Sequence, residues 1–500
     1  MMWSRYGRKI FWILLLLEAS IIAINGASTP VSLGDESHHF RFAQNIYNTG
    51  RRAPFDPLYE SGNPPGFFNN DPPLWHFGLA FLWKLTGGIS QTIAQFYHMI
   101  FLILLVWVTS LLAKEFTGKD EGKWFSALIV ATVPMVVSFS TLFYMDVPMT
   151  ALSTLGFYLI LKKRYIEAGG ASGLAYFTKL NSGFLFPGFV LLIAWNERRK
   201  IWSLFKNVFF FTFPIIVIYV LDLYWRKQNI NPSLDPLNMQ HVLIRASKIF
   251  GGRLREYLIS YTTNPTDLVK YFGLAFLGVF LFHLFRVKRW DRKDAIFWVP
   301  VISYLAVFLI VFGIESDIRY LLPVLPLLAV LITPSFLTLG RRWHIIIIGI
   351  CLLQFAGTSY YVHQRRQIST EVREGFEYIR NNVNKDALIL YPEENLLIYG
   401  QRRIIWSAVR GYGKIGSKGG LYGVFWGGDN WGGDNQNVNT ILKMNRIDHV
   451  LVKKSRIFDD SKEQHLGGYP KSFVENLPHL NGWVKVFENQ GMALWKMNPP

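Results

Sequence analysis

Long apolar runs crowd residues 1–361 and then stop, and residues 362–500 read like an ordinary globular chain. A helix of ~20 apolar residues crosses the ~30 Å hydrocarbon core of a bilayer. Inside that core every backbone polar group has to be bonded within the protein, so runs of this kind are restricted to helices. The runs at 9–28, 93–113, 124–143, 147–161, 167–180, 182–196, 205–224, 268–286, 295–313, 321–338 and 343–361 are read as spans. The run 73–86 would reach only ~21 Å at 1.5 Å per residue and is expected to lie at the interface. The predicted fold class is a polytopic α-helical membrane protein with about eleven spans and a C-terminal soluble α/β domain.

Only 17% of the residues are charged, yet the formal net charge is +18. Such an excess of Lys and Arg marks either a nucleic-acid binder or a membrane protein with basic inner loops, and position decides between them. With the N-terminus inside, the inner loops 1–9, 114–123, 162–166, 197–204, 287–294 and 339–342 hold eighteen Lys and Arg residues. The short outer turns 144–146, 179–181 and 314–320 hold only Lys179 and Arg319. The basic charge therefore calls for a lipid bilayer and no nucleic acid. An odd number of spans puts residues 362–500 outside, as expected for a multi-pass protein of the cell (plasma or inner) membrane. The single cysteine, Cys351, allows no intrachain disulfide and no Cys-built metal site. The first apolar run lacks a small-residue cleavage pattern and is expected to be retained.

The expected organisation is a membrane domain at 1–361, with extracytoplasmic loops 29–92 and 225–267, and an outer domain at 362–500. Within the outer domain, 370–382 has Val372, Phe376 and Ile379 on one helical face. Short apolar runs at 387–391, 396–399, 404–406, 450–452, 484–487 and 492–495 fit a small α/β domain. The tandem Trp-Gly-Gly-Asp-Asn repeat at 426–435 offers indole faces beside Asp and Asn, which suit a sugar; a glycine-rich turn is the simpler alternative.

Several polar residues interrupt this pattern. Asp35-Glu36-Ser37-His38-His39-Phe40 follows the first run; a carboxylate there can serve as a general base, or Asp35 can cap a helix running to Tyr47. The adjacent His38 and His39 would diverge on a helix and make a poor joint metal site. Asp71-Pro72-Pro73-Leu74 suits the first turn of the helix that follows. Tyr144-Met145-Asp146-Val147-Pro148 places an acid between two runs, as a helix cap or a site group. Lys179, and Arg319-Tyr320 after Glu315 and Asp317, put cations at a depth where they need a cavity, a partner or an anionic group. Glu18 within the first run is expected to make a structural hydrogen bond. The predicted topology brings Asp35, Asp71, Asp146, Lys179 and Arg319 to the outer membrane–water boundary.

These pieces resemble the polyprenyl-phosphate-dependent glycosyltransferases of the GT-C fold, especially the protein O-mannosyltransferase and aminoarabinose (lipid A) transferase group. The matching stretches are Asp35-Glu36 with His39-Phe40, Asp71-Pro72-Pro73-Leu74, Met145-Asp146-Val147-Pro148, Leu174-Ala175-Tyr176-Phe177-Thr178-Lys179 and Arg319-Tyr320-Leu321-Leu322-Pro323, in order across about 1–340. The resemblance implies an enzyme that uses a polyprenyl-phosphate-linked sugar donor at the outer face, with a protein, lipid or glycan as acceptor. It implies that Asp35 activates the acceptor hydroxyl, that Glu36 and Asp146 are further acids of the site, and that Lys179, Arg319 and Tyr320 bind the lipid phosphate. His39 and Asp71 are candidates for substrate or metal. Many relatives carry Lys or His directly before the Pro-Pro pair, where this chain has Asp71; either a cation such as Arg253 or Arg255 substitutes, or Asp71 helps bind a divalent metal ion. The alternatives are a transporter or flippase for lipid-linked sugar, and a non-catalytic glycan-binding membrane protein. Against transport, the acids gather at one surface rather than at the midplane between repeats.

Overall fold

The computed structural model describes residues 2–31, 35–52, 59–60, 72–198, 200–229, 265–286, 292–312, 318–391, 395–405, 439, 442–443, 446–458 and 469–498. Its longer helices are α1 (Met2–Ser28), α2 (Asp35–Thr49), α3 (Leu74–Thr86), α4 (Gln91–Thr117), α5 (Asp120–Thr132), α6 (Pro134–Thr141), α7 (Asp146–Leu161), α8 (Tyr165–Tyr176), α9 (Phe186–Glu197), α10 (Ile201–Asn229), α11 (Pro265–Arg286), α12 (Arg292–Phe312), α13 (Leu325–Leu337), α14 (Arg341–Arg366) and α15 (Thr370–Asn382). Contacts divide the chain into two units: Met1–Thr29 with Asn70–Arg365, and Pro30–Asn69 with Arg366–Pro500.

The first unit is helical and apolar. Among the described residues, five helical stretches are long and apolar enough to cross a membrane: Gln91–Thr117, Ile201–Asn229, Leu268–Arg286, Arg319–Leu337 and Arg341–Arg366. A sixth is added if α5 and α6 form one span, which is bent by 59° at a break before Pro134. The expected run 124–143 is thus a broken element, because Pro134 lacks the N–H that a continuous helix needs. The runs expected at 147–161, 167–180 and 182–196 become α7, α8 and α9, with 16, 12 and 12 residues. At 1.5 Å per residue, none of these three equals the thickness of the hydrocarbon core.

Close helix approach is written in the glycines of α8. A Cβ at Gly169 would lie 2.1 Å from the Phe211 carbonyl oxygen of α10, and one at Gly173 would lie 2.7 Å from the Ile218 side chain. Small residues four apart let two backbones meet where no apolar–water contrast drives association. Around this crossing Phe157, Phe189, Phe211, Tyr304 and Val330 form a buried core. The opposite side of α10 presents Phe205, Phe209, Phe213, Ile216 and Val220 outward, a face suited to lipid. In α11, Gly273 takes φ +77°, and the Gln354 side chain of α14 accepts the Ala275 N–H at 2.8 Å. The amide thus fills a hydrogen bond that the kink removes.

The second unit carries a six-stranded sheet in the order β1-β3-β2-β4-β8-β7. Its strands are β1 (Tyr59–Glu60), β2 (Leu388–Leu390), β3 (Arg403–Ile405), β4 (His449–Lys453), β7 (Trp483–Glu488) and β8 (Met492–Met497). The short pair β5 (Ile457–Phe458) and β6 (Tyr469–Pro470) stands apart. β1 to β4 pair in parallel, while β8 is antiparallel to both β4 and β7. Strand β1 comes from the first long loop, so that loop forms the edge of a sheet built otherwise from the C-terminal region. Helix α15 is capped by Ser369, whose hydroxyl accepts the Val372 N–H at 3.4 Å. It packs Val372, Phe376 and Ile379 against Ile389, Tyr391, Leu451 and Leu494. The run 396–399, expected as a short apolar element beside the strands, is the single helical turn α16 (Asn395–Tyr399). Residues 426–435 lie outside the described residues.

Candidate active site

The first unit brings four of the anticipated residues together. Asp146 opens α7, where its charge faces the positive end of the helix. It is fully buried. Helix α8 ends at Tyr176, and at Lys179 the backbone turns extended (φ −155°) before a 3₁₀ turn at Leu180–Leu185. That break swings the Lys179 ammonium onto the carboxylate of Asp146, at 2.9 Å from Oδ1 and 2.8 Å from Oδ2. The Lys179 side chain keeps 13% exposure while Asp146 has none.

Arg319 and Tyr320 complete the cluster. Lys179 Nζ lies 5.0 Å from the centre of the Tyr320 ring. The Arg319 guanidinium lies 5.2 Å from the same ring and 5.1 Å from that of Tyr144. Cations over aromatic faces are attracted by the ring quadrupole, which helps to hold them in place. The Tyr304 hydroxyl donates to the Tyr320 carbonyl and pins the turn that carries both residues. Two cations beside one buried acid make a surface suited to a phosphate.

Another contact joins two stretches singled out in the sequence. The Leu74 N–H at the start of α3 donates to the Phe177 carbonyl at 3.0 Å. The Pro72-Pro73-Leu74 turn is therefore tied to the backbone just before Lys179. Beside it, Trp75 is fully buried and its ring meets those of Tyr97, His98 and Phe143 at 5.8, 5.9 and 6.0 Å. His98 Nε2 faces the Phe139 carbonyl at 2.9 Å. Sequence reading missed Trp75, His98 and Tyr304 as neighbours of the site. A histidine inside an apolar run was the available signal for His98. Asp71, Arg253, Arg255, Glu315 and Asp317 lie outside the described residues. Glu18 is buried in α1, but no hydrogen bond reaches its Oε1 among the described residues, so the bond expected of it is not seen at that atom.

The second unit holds Asp35, Glu36 and His39, all on α2. Asp35 is the first helical residue and half-buried. Glu36 is fully buried and paired with Arg366: Nε lies 3.3 Å from Oε1, and Nη2 lies 3.0 Å from Oε2. His39 is buried, with its ring 5.5 Å from that of His38. Among the described residues, no group of three or more His, Cys, Asp or Glu side chains is arranged to hold a metal ion. The carboxylates of Asp146 and Glu36 are each taken up by a cation.

Comparison with known proteins bears on this arrangement. Residues 70–225, the stretch that contains Asp146 and Lys179, match the family model of dolichyl-phosphate-mannose-protein mannosyltransferase. The structure aligns with ArnT from Cupriavidus metallidurans bound to undecaprenyl phosphate, at TM-score 0.66 and 13% identity, covering 99% of this chain and 100% of that one. The chain has the GT-C fold. This GT-C fold also aligns with the Archaeoglobus fulgidus oligosaccharyltransferase at TM-score 0.57 and 11% identity, over 90% of this chain and 70% of that one. The arabinofuranosyltransferase AftD from Mycobacteria matches at TM-score 0.52 and 13% identity, over 97% of this chain and 42% of that one. In sequence, an uncharacterized protein of Aquifex aeolicus is 23% identical over 342 residues, 66% of this chain. The match spans 64% of the length of that relative. The GT-C resemblance thus rests on sequence and on three-dimensional structure alike.

Proposed function

We propose that the protein is an integral membrane glycosyltransferase that moves a sugar from a polyprenyl phosphate to an acceptor hydroxyl on the extracytoplasmic face, with inversion at the anomeric carbon. The observation that carries this reading is the Asp146–Lys179 pair flanked by Arg319 and Tyr320, in a chain with the GT-C fold. Eleven membrane passages, with residues 362–500 outside, belong to the same proposal and follow from the distribution of Lys and Arg.

In the proposed reaction the Asp35 carboxylate takes the acceptor proton. The acceptor oxygen bonds to the anomeric carbon as the bond from that carbon to the phosphate oxygen breaks. The electron pair leaves with the phosphate, giving free polyprenyl phosphate. Lys179 and Arg319 stabilise the charge that grows on the departing group, in surroundings of low dielectric where fixed cations act strongly. Asp146 holds Lys179 in place until the phosphate arrives.

The test uses membranes containing the protein and a donor labelled in its sugar. Transfer of label to a new carrier is expected for the wild-type protein and absent for Asp35→Ala. Wild-type transfer by Asp35→Ala removes the assigned base. Movement of labelled lipid across the bilayer without covalent transfer supports a transporter instead.

A further inference from the structure

We propose that Glu36 and Arg366 are positioning residues that fix the Asp35 carboxylate, and that Glu36 is not itself a proton-transfer group. The inference rests on the reading of Asp35 as the base.

Glu36 and Arg366 stand 330 residues apart in sequence, and both side chains have no exposed surface. Both Glu36 oxygens receive a guanidinium N–H. A carboxylate engaged in this way is a poor acceptor for a substrate proton. Asp35, the preceding residue, is half-buried and so keeps a face towards its surroundings. The two neighbouring acids therefore differ in burial.

The cost of burying the pair points to a role in geometry. Removing two charges from water is expensive, and well-packed apolar residues of similar volume are commonly as stabilising or more so. What an apolar pair cannot supply is a fixed direction. A guanidinium fork on a carboxylate sets both distance and plane. A second anchor lies just upstream, where the Val31 N–H donates to the Tyr399 hydroxyl at 2.7 Å. Tyr399 ends α16 and its ring stacks on Phe376 of α15. Burial raises the Tyr399 hydroxyl to about 12, so it stays protonated at any working pH. Residues of the C-terminal region thus hold Val31 and, in the first turn of α2 directly after Asp35, Glu36. Loss of either partner of the pair frees the first turn of α2, and a displacement of about 1 Å is enough to cost on the order of a hundredfold in rate.

The experiment is a double-mutant cycle on purified full-length protein, with kcat and donor KM measured and thermal unfolding checked for every variant. Glu36→Gln is expected to lower kcat about tenfold to a hundredfold with donor KM within about twofold. In an Asp35→Asn background the same substitution is expected to change nothing further, because there is no base left to position. Glu36→Asp and Arg366→Lys, which keep the charges but shorten the reach or lose the fork, are expected to fall between wild type and Glu36→Gln. Wild-type kcat in Glu36→Gln overturns the proposal. So does a loss that multiplies with that of Asp35→Asn. If Glu36→Gln does not fold, the cycle is run with Glu36→Asp and Arg366→Lys and judged by the same rule. Wild-type kcat in Asp35→Asn alone is a separate outcome, which removes the base assignment.

Discussion

Lys179 meets both carboxylate oxygens of Asp146, at 2.8 and 2.9 Å, from 33 residues further along the chain. The pair is neutral as a unit while either member alone is a buried charge. Lys179→Met and Asp146→Asn are each expected to lower stability by roughly 3–5 kcal/mol, since a lone buried charge is left behind. The double variant is expected to recover most of that stability and none of the transfer activity. Thermal unfolding in detergent, beside a transfer assay, checks both halves.

Asp35→Asn is expected to reduce kcat by about 10²–10⁴-fold, the usual contribution of a positioned general base. Donor KM should change little, because the amide keeps the volume of the side chain. Steady-state kinetics with a soluble analogue of the donor is the measurement, and a large rise in KM at unchanged kcat would contradict the role.

Arg319→Lys is expected to raise donor KM about tenfold. The planar guanidinium lies over both Tyr144 and Tyr320, whereas an ammonium is a compact, strongly hydrated charge on a flexible stem. Stacking of this kind contributes ~0.5–2 kcal/mol, depending on desolvation. Binding of undecaprenyl phosphate to wild type and variant in detergent measures it directly.

Gly169→Ala is expected to weaken the crossing of α8 and α10 severely. The added methyl would sit 2.1 Å from the Phe211 carbonyl oxygen, which is backbone and cannot swing aside. Gly170→Ala, next along the helix, meets nothing within 4 Å and is the control. Yield of folded protein and its unfolding temperature should separate the two.

Acid should loosen the sheet through His449. Burial lowers this imidazole from 6.5 to about 4, with Asp448 opposing the shift and Lys496 adding to it. Between those values the unfolded chain binds the proton and the folded chain does not, so stability falls as pH drops from about 7 to about 4 and then levels off. The loss is at most about 3 kcal/mol, taking 1.36 kcal/mol per unit. Thermal unfolding of wild type and His449→Asn over this range should show a pH slope that is shallower in the variant.

The sequence carried much of the local structure. Residues 370–382 read as an amphipathic helix, and α15 covers Thr370–Asn382 with Val372, Phe376 and Ile379 buried. Apolar periodicity suffices there because a single face meets a single sheet. The apolar run at 124–143 shows the limit: composition reads as one span, while Pro134 turns it into a bent pair. The turn at 395–399 shows another, since five residues carry too little periodicity to separate a strand from a helical turn.

The identities of the candidate groups were also written in the sequence, because acids and cations set into apolar surroundings need partners. Which partner each one has was not. Asp35 and Glu36 are neighbours of like charge, and the arrival of Arg366 from 330 residues away is what pairs the buried Glu36. Residues 59–60, inside a loop between apolar runs, likewise become the edge strand of a C-terminal sheet only through pairing with β3. Hydropathy and charge are properties of each residue and its near neighbours, so one chain suffices to read them. An ion pair or a strand pairing depends on which distant segment closes upon which, and that is decided when the whole chain packs.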